Sequence, residues 1–289
     1  MMNETKRVVV VDDASNIPQE LVEKLGIKII HHPFCLDDVE IDQSKMTTDE
    51  FMSRVRAGAM PKTILINLAT FENFYRSLAD EGYTEILSVH LPKAMSSTID
   101  MARKAAENVK DKITVRVVES LATLSEEGLL ACAAARLLRE GMPLEEAAQQ
   151  VEKLRNDIHI LLVVGDLKYL AKWGRIGKAK ALMGSMLRIT PILSYDDTGG
   201  IIPAGRARSD AQAIEIISGE IQSAQGEGSD GTGLTVFIVY TDRPESATRL
   251  KDKLTSTYPK ASVYLWQTHP LVSVYLAPGG WVVGWLNWR

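Results

Sequence analysis

Four consecutive valines, residues 8–11, form an apolar run that ends at Asp12. A continuous β-branched run is typical of a strand that is buried on both faces of a sheet. Further strand-like segments follow at 27–31, 85–90, 113–118 and 158–164, and helix-like segments lie between them at 47–55, 70–78, 96–109, 121–138 and 144–154. This alternation predicts an α/β domain with a parallel sheet covered on both faces by helices. No glycine fingerprint follows the valine run, so a dinucleotide site of the usual kind is not indicated.

The pattern changes near Asp166. Two strand-like segments, 188–195 and 201–206, are joined by the turn-rich Asp-Asp-Thr-Gly-Gly of residues 196–200, which predicts a hairpin. Strands at 234–240, 261–266 and 281–285 then accompany a helix at 210–223. A length of 289 residues exceeds what one hydrophobic core usually organises. We therefore predict two domains, an α/β domain over 1–165 and an α+β domain with a mixed sheet over 166–289.

Composition excludes several classes of protein. The formal charge of −4 provides no basic face for nucleic acid. No stretch approaches the roughly 18 apolar residues of a membrane-spanning helix, and the N-terminal apolar run is too short for a secretory signal. Cys35 and Cys132 lie far apart and belong to no ligand-spaced cluster. These features predict a cytoplasmic location without a transmembrane segment.

Hydroxyl side chains at two places are candidates for a ligand site. Thr63 lies at a predicted strand-to-helix junction, the place where open sheets bind ligands, although a threonine there can equally end a strand. Ser96, Ser97 and Thr98 lie at a predicted helix start. They suit a simple N-cap, and the same geometry suits an anion held by helix amides and hydroxyls. The residues alone leave both alternatives open.

Other polar groups are weaker candidates. Arg175, between two glycines in residues 174–177, suits either a solvated turn or a planar donor for a carboxylate or phosphoryl group. The five histidines show no metal-ligand spacing, so we predict no metal site. The carboxylate pairs at 12–13 and 37–38 are interpreted as solvated or capping groups.

Taken together, these segments resemble the DegV family of bacterial fatty-acid-binding proteins over nearly the whole chain. Residues 12–18 stand where the family has an Asp-Ser-Thr-like stretch before Leu-Pro. Thr63 stands at the start of its Thr-Ser-Gln-Pro motif, and residues 95–98, Met-Ser-Ser-Thr, match its Leu-Ser-Gly-Thr helix start. Residues 173–178, Trp-Gly-Arg-Ile-Gly-Lys, match Gly-Gly-Arg-Ile-Ser-Lys, and 187–193, Leu-Arg-Ile-Thr-Pro-Ile-Leu, match Leu-Asn-Ile-Lys-Pro-Ile-Leu.

The resemblance implies a Rossmann-like first domain, a mixed-sheet second domain and an apolar lipid tunnel between them. A long-chain fatty acid would be bound by its carboxylate, with Thr63, Ser96 and the backbone at Ser97 as its ligands by position. The family's partner is a fatty-acid kinase that phosphorylates the bound acid. The resemblance therefore implies a carrier that is not itself an enzyme and that needs no cofactor besides its lipid ligand. We expect Arg175, Arg206 and Arg208 to serve docking of the kinase, because their small neighbours suggest exposure.

Two positions depart from the family pattern. Tyr275 takes the place of the histidine in the His-Thr-Gly-Pro-Gly motif, and it is expected either to replace that ligand or to pack against the turn at 278–279. Residues 64–66, Ile-Leu-Ile, replace the polar Ser-Gln-Pro. Two alternatives to a carrier stay open: an acyl hydrolase with Ser96 as nucleophile and His90 nearby in sequence, and a regulatory module for another apolar metabolite. Against the hydrolase, the sequence contains no Gly-x-Ser-x-Gly motif, the nucleophile elbow of many acyl hydrolases.

Overall fold

A computed structural model describes residues 5–41 and 45–288, with the backbone alone for 185–188. The described strands are β1 (Arg7–Asp12), β2 (Lys28–Ile30), β3 (Phe34–Leu36), β4 (Val39–Ile41), β5 (Pro61–Thr63), β6 (Glu85–His90), β7 (Thr114–Glu119), β8 (Ile158–Val163), β9 (Thr190–Tyr195), β10 (Ile201–Ala207), β11 (Leu234–Tyr240), β12 (Ser262–Gln267) and β13 (Trp281–Asn287).

The described α-helices are α1 (Gln19–Leu25), α2 (Thr48–Arg56), α3 (Leu68–Asp80), α4 (Thr98–Asn108), α5 (Ser125–Arg139), α6 (Leu144–Leu154), α7 (Leu167–Lys172), α8 (Asp210–Gln225), α9 (Glu245–Thr257) and α10 (Pro270–Leu276). Segments of 3-10 helix cover Asp13–Ser15 and Gly177–Arg188. No helix in these described ranges has the length and apolar composition needed to cross a bilayer.

The described chain divides into two compact units. The first comprises residues 5–33 and 63–156, and the second comprises 34–62 and 157–288. The first unit contains the predicted parallel sheet, in the order β2-β1-β6-β7. Val8 and Val10 pack with α3 and α4 on one face, whereas α5 packs against β1 and β6. Burial on both faces explains the unbroken valine run, and the α/β prediction is confirmed.

The second unit contains a mixed sheet in the order β10-β9-β8-β13-β11-β12, in which only the β11–β12 pair among these neighbours is parallel. Helices α8 and α9 cover one face, where Ile217 and Leu250 pack against strand residues such as Ile238. The hairpin predicted at 188–206 is present as β9 and β10. The prediction of a second, mixed-sheet domain is confirmed.

Residues 34–62 group with the second unit, which differs from a single division at residue 165. The cause is an apolar cluster in which Phe34 and Phe51 pack with Leu271 and Val274 of α10. A small sheet in the order β4-β3-β5 belongs to the same region. Its three-residue strands are too short to show an apolar period in the sequence, so they were not predicted.

Helix ends follow local chemistry. Thr47 caps α2, because its hydroxyl accepts from the Glu50 amide. Helix α5 begins at Ser125, four residues after the predicted start, since Leu121 and Leu124 adopt positive φ angles of 62° and 61° that a helix does not allow. Helix α10 was missed, although Pro270 at its first turn is a helix-start signal.

Candidate functional site

The carboxyl ends of the parallel strands in the first unit bring several ionisable side chains together. Asp12 ends β1, His90 ends β6, and His31 and His32 follow β2. The residues at the strand ends are buried: Asp12 and His90 are 0% exposed, Asp13 is 3% and His32 is 7%. Of the two interpretations of residues 12–13, that of solvated carboxylates is wrong, because parallel strands place their ends at one edge under the helices. The capping interpretation is confirmed for Asp12, whose carboxylate accepts from the Ala14 amide at the start of the 3-10 helix Asp13–Ser15.

One chain of contacts starts at Asp12. The Nδ1 atom of His90 lies 2.8 Å from the Asp12 carboxylate, and its Nε2 atom lies 2.8 Å from Ser88 Oγ. The Ser88 hydroxyl in turn lies 2.9 Å from the Tyr75 hydroxyl. Ser, His and Asp in this order resemble a nucleophile with its base, yet Ser88, His90 and Asp12 are all fully buried, so no substrate reaches them. This chain holds the sheet edge together.

A second chain starts at Asp13 and reaches the predicted site. Nδ1 of His32 lies 2.6 Å from Asp13 Oδ1, and Nε2 lies 3.3 Å from Thr98 Oγ1. The Thr98 hydroxyl lies 2.9 Å from Ser96 Oγ, which also accepts from the Thr98 amide at 3.3 Å. Thr98 is fully buried, whereas Ser96 is half-buried. Ser96 is therefore the outer end of a polar chain that leads into the core.

Charges in this network shift several pKa values. Burial opposes ionisation of Asp13, but hydrogen bonds from His31 and His32, together with their charges, hold the pKa of its carboxyl well below the usual range. Burial likewise opposes the His32 imidazolium, while the hydrogen bond to Asp13 and the charges of Asp12 and Asp13 raise its pKa. The hydrogen bond to Asp13 also raises the pKa of His31, which is largely exposed.

Two glutamates at the start of α5 are buried as well. Burial raises the pKa of Glu126 to about 8. Burial and the neighbouring charges of Asp12 and Asp13 raise the pKa of Glu127 well above its ordinary value. A side-chain hydrogen bond with Asp12 adds to this rise. Burial therefore favours the neutral acid at both positions, and Glu126 ionises only as the pH approaches about 8.

Asp12, Asp13 and His32 form the group best placed to hold a cation in the described chain. Their candidate ligand atoms all lie within 4.8 Å of one another. Protein donors already contact them, however, because Asp12 accepts from the Ala14 amide and Asp13 accepts from the His32 amide. The spacing along the chain gave no sign of this group, since its members come from different strand ends.

The structure places Ser96 and Thr63 on segments that border the His32 region. Ser96 directly precedes α4, and Ser97 is its exposed N-cap residue, without a side-chain capping bond. Thr63 ends β5. The amide of the next residue, Ile64, donates to the carbonyl of Pro33 at 2.8 Å, and Pro33 directly follows His32 in the sequence. The segments that carry Thr63 and Ser96 are thus both connected to residues 32–33, the first through the Ile64 amide and the second through Thr98.

Tyr275 and the three arginines lie in the second unit. Tyr275 is in the last turn of α10, half-buried against the cluster that contains Phe34 and Phe51. Arg175 is half-buried rather than exposed, and its guanidinium donates to the Trp173 carbonyl. Arg206 and Arg208, at the end of β10, are exposed. The structure does not test their predicted role in docking.

A tight contact links the Arg175 loop to β10. Gly177 has a φ of +52°, and a Cβ atom there would lie 2.4 Å from the Ile201 carbonyl oxygen. Only glycine allows both the backbone angle and this approach. The loop with Arg175 and the strand with Arg206 are therefore neighbouring elements.

Comparison with known proteins identifies the relatives of this arrangement. A model of the family described as "Uncharacterised protein, DegV family" matches residues 6–287. The chain belongs to the DegV family. A DegV domain-containing protein of Staphylococcus aureus (strain COL) is 27% identical over 286 residues, which cover 98% of each chain.

Solved structures of the family share the fold. A DegV family protein from Thermus thermophilus, described as binding fatty acid, is 27% identical with a TM-score of 0.88 and covers 98% of this chain and 100% of its own. DegV from Bacillus subtilis, described as a fatty acid binding protein, has a TM-score of 0.88 at 24% identity over 98% of this chain and 100% of its own. At that lower identity the likeness supports the fold alone.

Proposed function

We propose that this DegV family protein binds one long-chain fatty acid by its carboxylate and presents it to a fatty-acid kinase in the cytoplasm. The observation that carries the proposal is the half-buried hydroxyl of Ser96 at the start of α4, backed by the chain to Thr98 and His32. A hydroxyl at the start of a helix supplies a donor to a carboxylate without placing a cation in an apolar site.

Thr63 adds a second hydroxyl to this proposal. Thr63 ends β5, and the amide of the next residue, Ile64, donates to the Pro33 carbonyl, which favours a position for Thr63 near His32 and the carboxyl edge of the sheet. Open α/β sheets bind ligands at that edge. The described cleft of about 670 Å³ lies elsewhere, at the amino ends near Arg7 and Thr84, and plays no part in the proposal.

The relative from Thermus thermophilus supports the ligand class. It is described as binding fatty acid, and it matches this chain over 98% of its length at 27% identity. Burial of the acyl chain contributes about 0.8 kcal/mol per methylene, so the chain supplies affinity and the carboxylate supplies orientation. The apolar tunnel for that chain stays a prediction.

Lipid extraction followed by mass spectrometry tests the ligand class. We expect a long-chain fatty acid to co-purify with the protein. Binding of added fatty acid by calorimetry then tests the site: Ser96→Ala removes a hydrogen bond to a charged group and is expected to weaken binding by about 1.5–3 kcal/mol, as is Thr63→Val.

Ser97→Ala is the matched control for Ser96→Ala. The Ser97 hydroxyl makes no capping bond, and alanine retains the backbone amide, so affinity should stay unchanged. If the protein purifies without a ligand and does not bind added fatty acid, the proposal is contradicted. Equal affinity of the Ser96→Ala and Ser97→Ala variants for fatty acid would show that Ser96 is not part of the site.

Presentation to a kinase is the second part of the proposal. Arg206 and Arg208 are exposed on the element that neighbours the Arg175 loop, and exposed arginines steer association with charged partners. Charge reversal in Arg206→Glu is expected to slow acyl phosphate formation with a fatty-acid kinase and to leave lipid affinity intact. Arg249→Glu, an exposed site on α9 of the same unit, is the control. Equal slowing in both variants would argue against a defined docking site.

The acyl hydrolase has less support. A serine nucleophile needs a base within hydrogen-bond reach. His90, the nearby histidine in sequence, bonds to Asp12 and Ser88 instead of Ser96. His32 reaches Thr98, one hydroxyl away from Ser96. Turnover of an acyl ester that is lost in Ser96→Ala would favour the hydrolase.

A further inference from the structure

The chain from Asp13 to Ser96 has a direction that depends on one proton. Asp13 is a carboxylate and therefore only accepts, so Nδ1 of His32, at 2.6 Å, carries a hydrogen and donates. The other ring nitrogen, Nε2, faces the Thr98 hydroxyl at 3.3 Å. Whether Nε2 also carries a hydrogen decides the direction of the two hydroxyls beyond it.

An imidazolium at His32 turns the chain outward. Nε2 then donates to Thr98 Oγ1, and the Thr98 hydroxyl donates to Ser96 Oγ at 2.9 Å. Ser96 Oγ also accepts from the Thr98 amide, so its own hydrogen points away from the chain, towards a ligand. A neutral His32 reverses the order: Nε2 accepts from Thr98, Thr98 accepts from Ser96, and Ser96 presents a lone pair outward.

We propose that His32 is a positioning residue that sets the direction of the Thr98–Ser96 hydroxyl pair and thereby makes binding of an ionised fatty acid depend on pH. With His32 charged, Ser96 donates to the carboxylate. With His32 neutral, Ser96 turns a lone pair towards the carboxylate and repels it. This inference rests on the proposed function, because it concerns the carboxylate of the bound acid.

Charged groups around His32 favour the outward state near neutral pH. Asp13 holds both the ring and the His32 amide, and Asp12 Oδ1 lies 3.9 Å from Nδ1. His31 contacts the other oxygen of Asp13, and Glu127 on α5 interacts with Asp12 and Asp13. Both aspartates stabilise the imidazolium and raise the pKa of His32 against the cost of burial. The outward state therefore extends above the pH at which an ordinary histidine loses its proton.

The test measures affinity for myristate, kept below its micelle concentration, between pH 5.5 and 9, with tetradecanol as an uncharged probe of the same chain length. Myristate affinity should fall by about tenfold or more as the pH rises, which is about 1.4 kcal/mol. Tetradecanol affinity should stay flat, because an alcohol both donates and accepts. A flat myristate profile for the unchanged protein would overturn the inference.

Four variants test whether this fall in myristate affinity with pH, the step, arises from the hydrogen-bonded chain Asp13–His32–Thr98–Ser96. Thr98→Val breaks the chain with little change of shape and should abolish the step, whereas Thr98→Ser retains the hydroxyl and should keep it. Asp13→Asn removes the charge beside His32 and should move the step to lower pH. His31→Gln alters a largely exposed histidine that does not contact Thr98, and its step should persist.

The outcomes separate this inference from the proposed function. No binding of myristate at any pH would sink the fatty-acid site itself. Binding with a step that survives in Thr98→Val, or that stays in place in Asp13→Asn, would retain the site and overturn the relay. If Thr98→Val does not fold, as judged by its unfolding transition, the Asp13→Asn and Thr98→Ser profiles still decide.

Discussion

The two units bury different kinds of side chain. In the first, the carboxyl edge of the parallel sheet buries Asp12, Asp13, His32 and His90, and the adjacent start of α5 buries Glu126 and Glu127. In the second, the buried polar residues among those described carry hydroxyls: Thr48, Ser218, Thr235, Thr241, Thr268 and Ser273. Between the sheet and helices α8 and α9, the second core is built from aliphatic and aromatic side chains.

This difference separates an apolar core from a buried cluster of ionisable groups. Apolar burial contributes stability that does not depend on pH, whereas buried ionisable groups reduce stability at some pH unless charges are paired. Buried ionisable groups with shifted pKa values occur both in structural networks and at functional sites. The comparison therefore predicts that the first unit governs the pH response and that substitutions in the second act through packing alone.

The largest expected effect is a cavity in the second core. Ile238→Ala removes a fully buried side chain from β11 and is expected to lower the free energy of unfolding by about 2–5 kcal/mol. Denaturant unfolding at pH 6 and pH 8 should give the same loss. A loss of unfolding free energy that differs strongly between pH 6 and pH 8 would contradict the idea that substitutions in the second unit act through packing alone.

Glu126→Gln tests the opposite behaviour in the first unit. The pKa of this carboxyl rises from 4.5 to about 8 on folding, so its stability contribution is complete below pH 4.5 and is lost as the pH rises towards 8. The glutamine variant should therefore be about 2–4 kcal/mol more stable than the unchanged protein at pH 8, with little difference near pH 4.5.

Glu245→Gln is the control for Glu126→Gln. Glu245 is an exposed glutamate in the first turn of α9. The Glu245→Gln variant should therefore not gain stability over the unchanged protein as the pH rises to 8. Denaturant unfolding at several pH values measures both variants. A pH-independent difference for Glu126→Gln would show that burial does not control this carboxyl.

A matched pair of serine substitutions sharpens the comparison further. Ser88→Ala leaves the Tyr75 hydroxyl and the His90 ring without their shared partner, and it should cost about 1–3 kcal/mol. Ser218→Ala removes only a bond from the hydroxyl to the Ile214 carbonyl in α8, and it should change stability by about 0.5 kcal/mol or less. Equal losses of unfolding free energy in the two variants would contradict the comparison, because the Ser88 hydroxyl would then contribute no more than the Ser218 hydroxyl.

The smallest expected effect concerns Tyr275. If this side chain replaces the family histidine as a carboxylate ligand, Tyr275→Phe should weaken fatty acid binding by about 1.5 kcal/mol, the lower end for a hydrogen bond to a charged group. Tyr275→His should restore affinity and add a second inflection to the pH profile, since an imidazole titrates near neutral pH. Unchanged affinity in Tyr275→Phe would assign the ring to packing with the cluster around Phe34 and Phe51.

Long elements and their order could be predicted from the sequence. The valine run at 8–11 became β1, the segment 234–240 became β11, and the alternation of strands and helices gave a parallel sheet, because apolar period and length are local properties. The family resemblance rested on residues 173–178 and similar local motifs. It predicted Thr63 and Ser96 as ligands of the carboxylate, and the structure connects the segments that carry them to residues 32–33.

Tertiary structure alone decided which polar residues meet. Asp13, His32 and Thr98 are separated by 19 and 66 residues along the chain, yet parallel pairing of β1 and β2 and the position of α4 bring them into one hydrogen-bonded line. It also decided that residues 34–62 pack with α10, and that α5 starts only after two residues with positive φ, Leu121 and Leu124. Sequence patterns report the face that each element buries. Whether a buried group is charged depends on residues that are distant in the sequence. Those residues exclude water from the group and form hydrogen bonds with it, and both effects set its pKa.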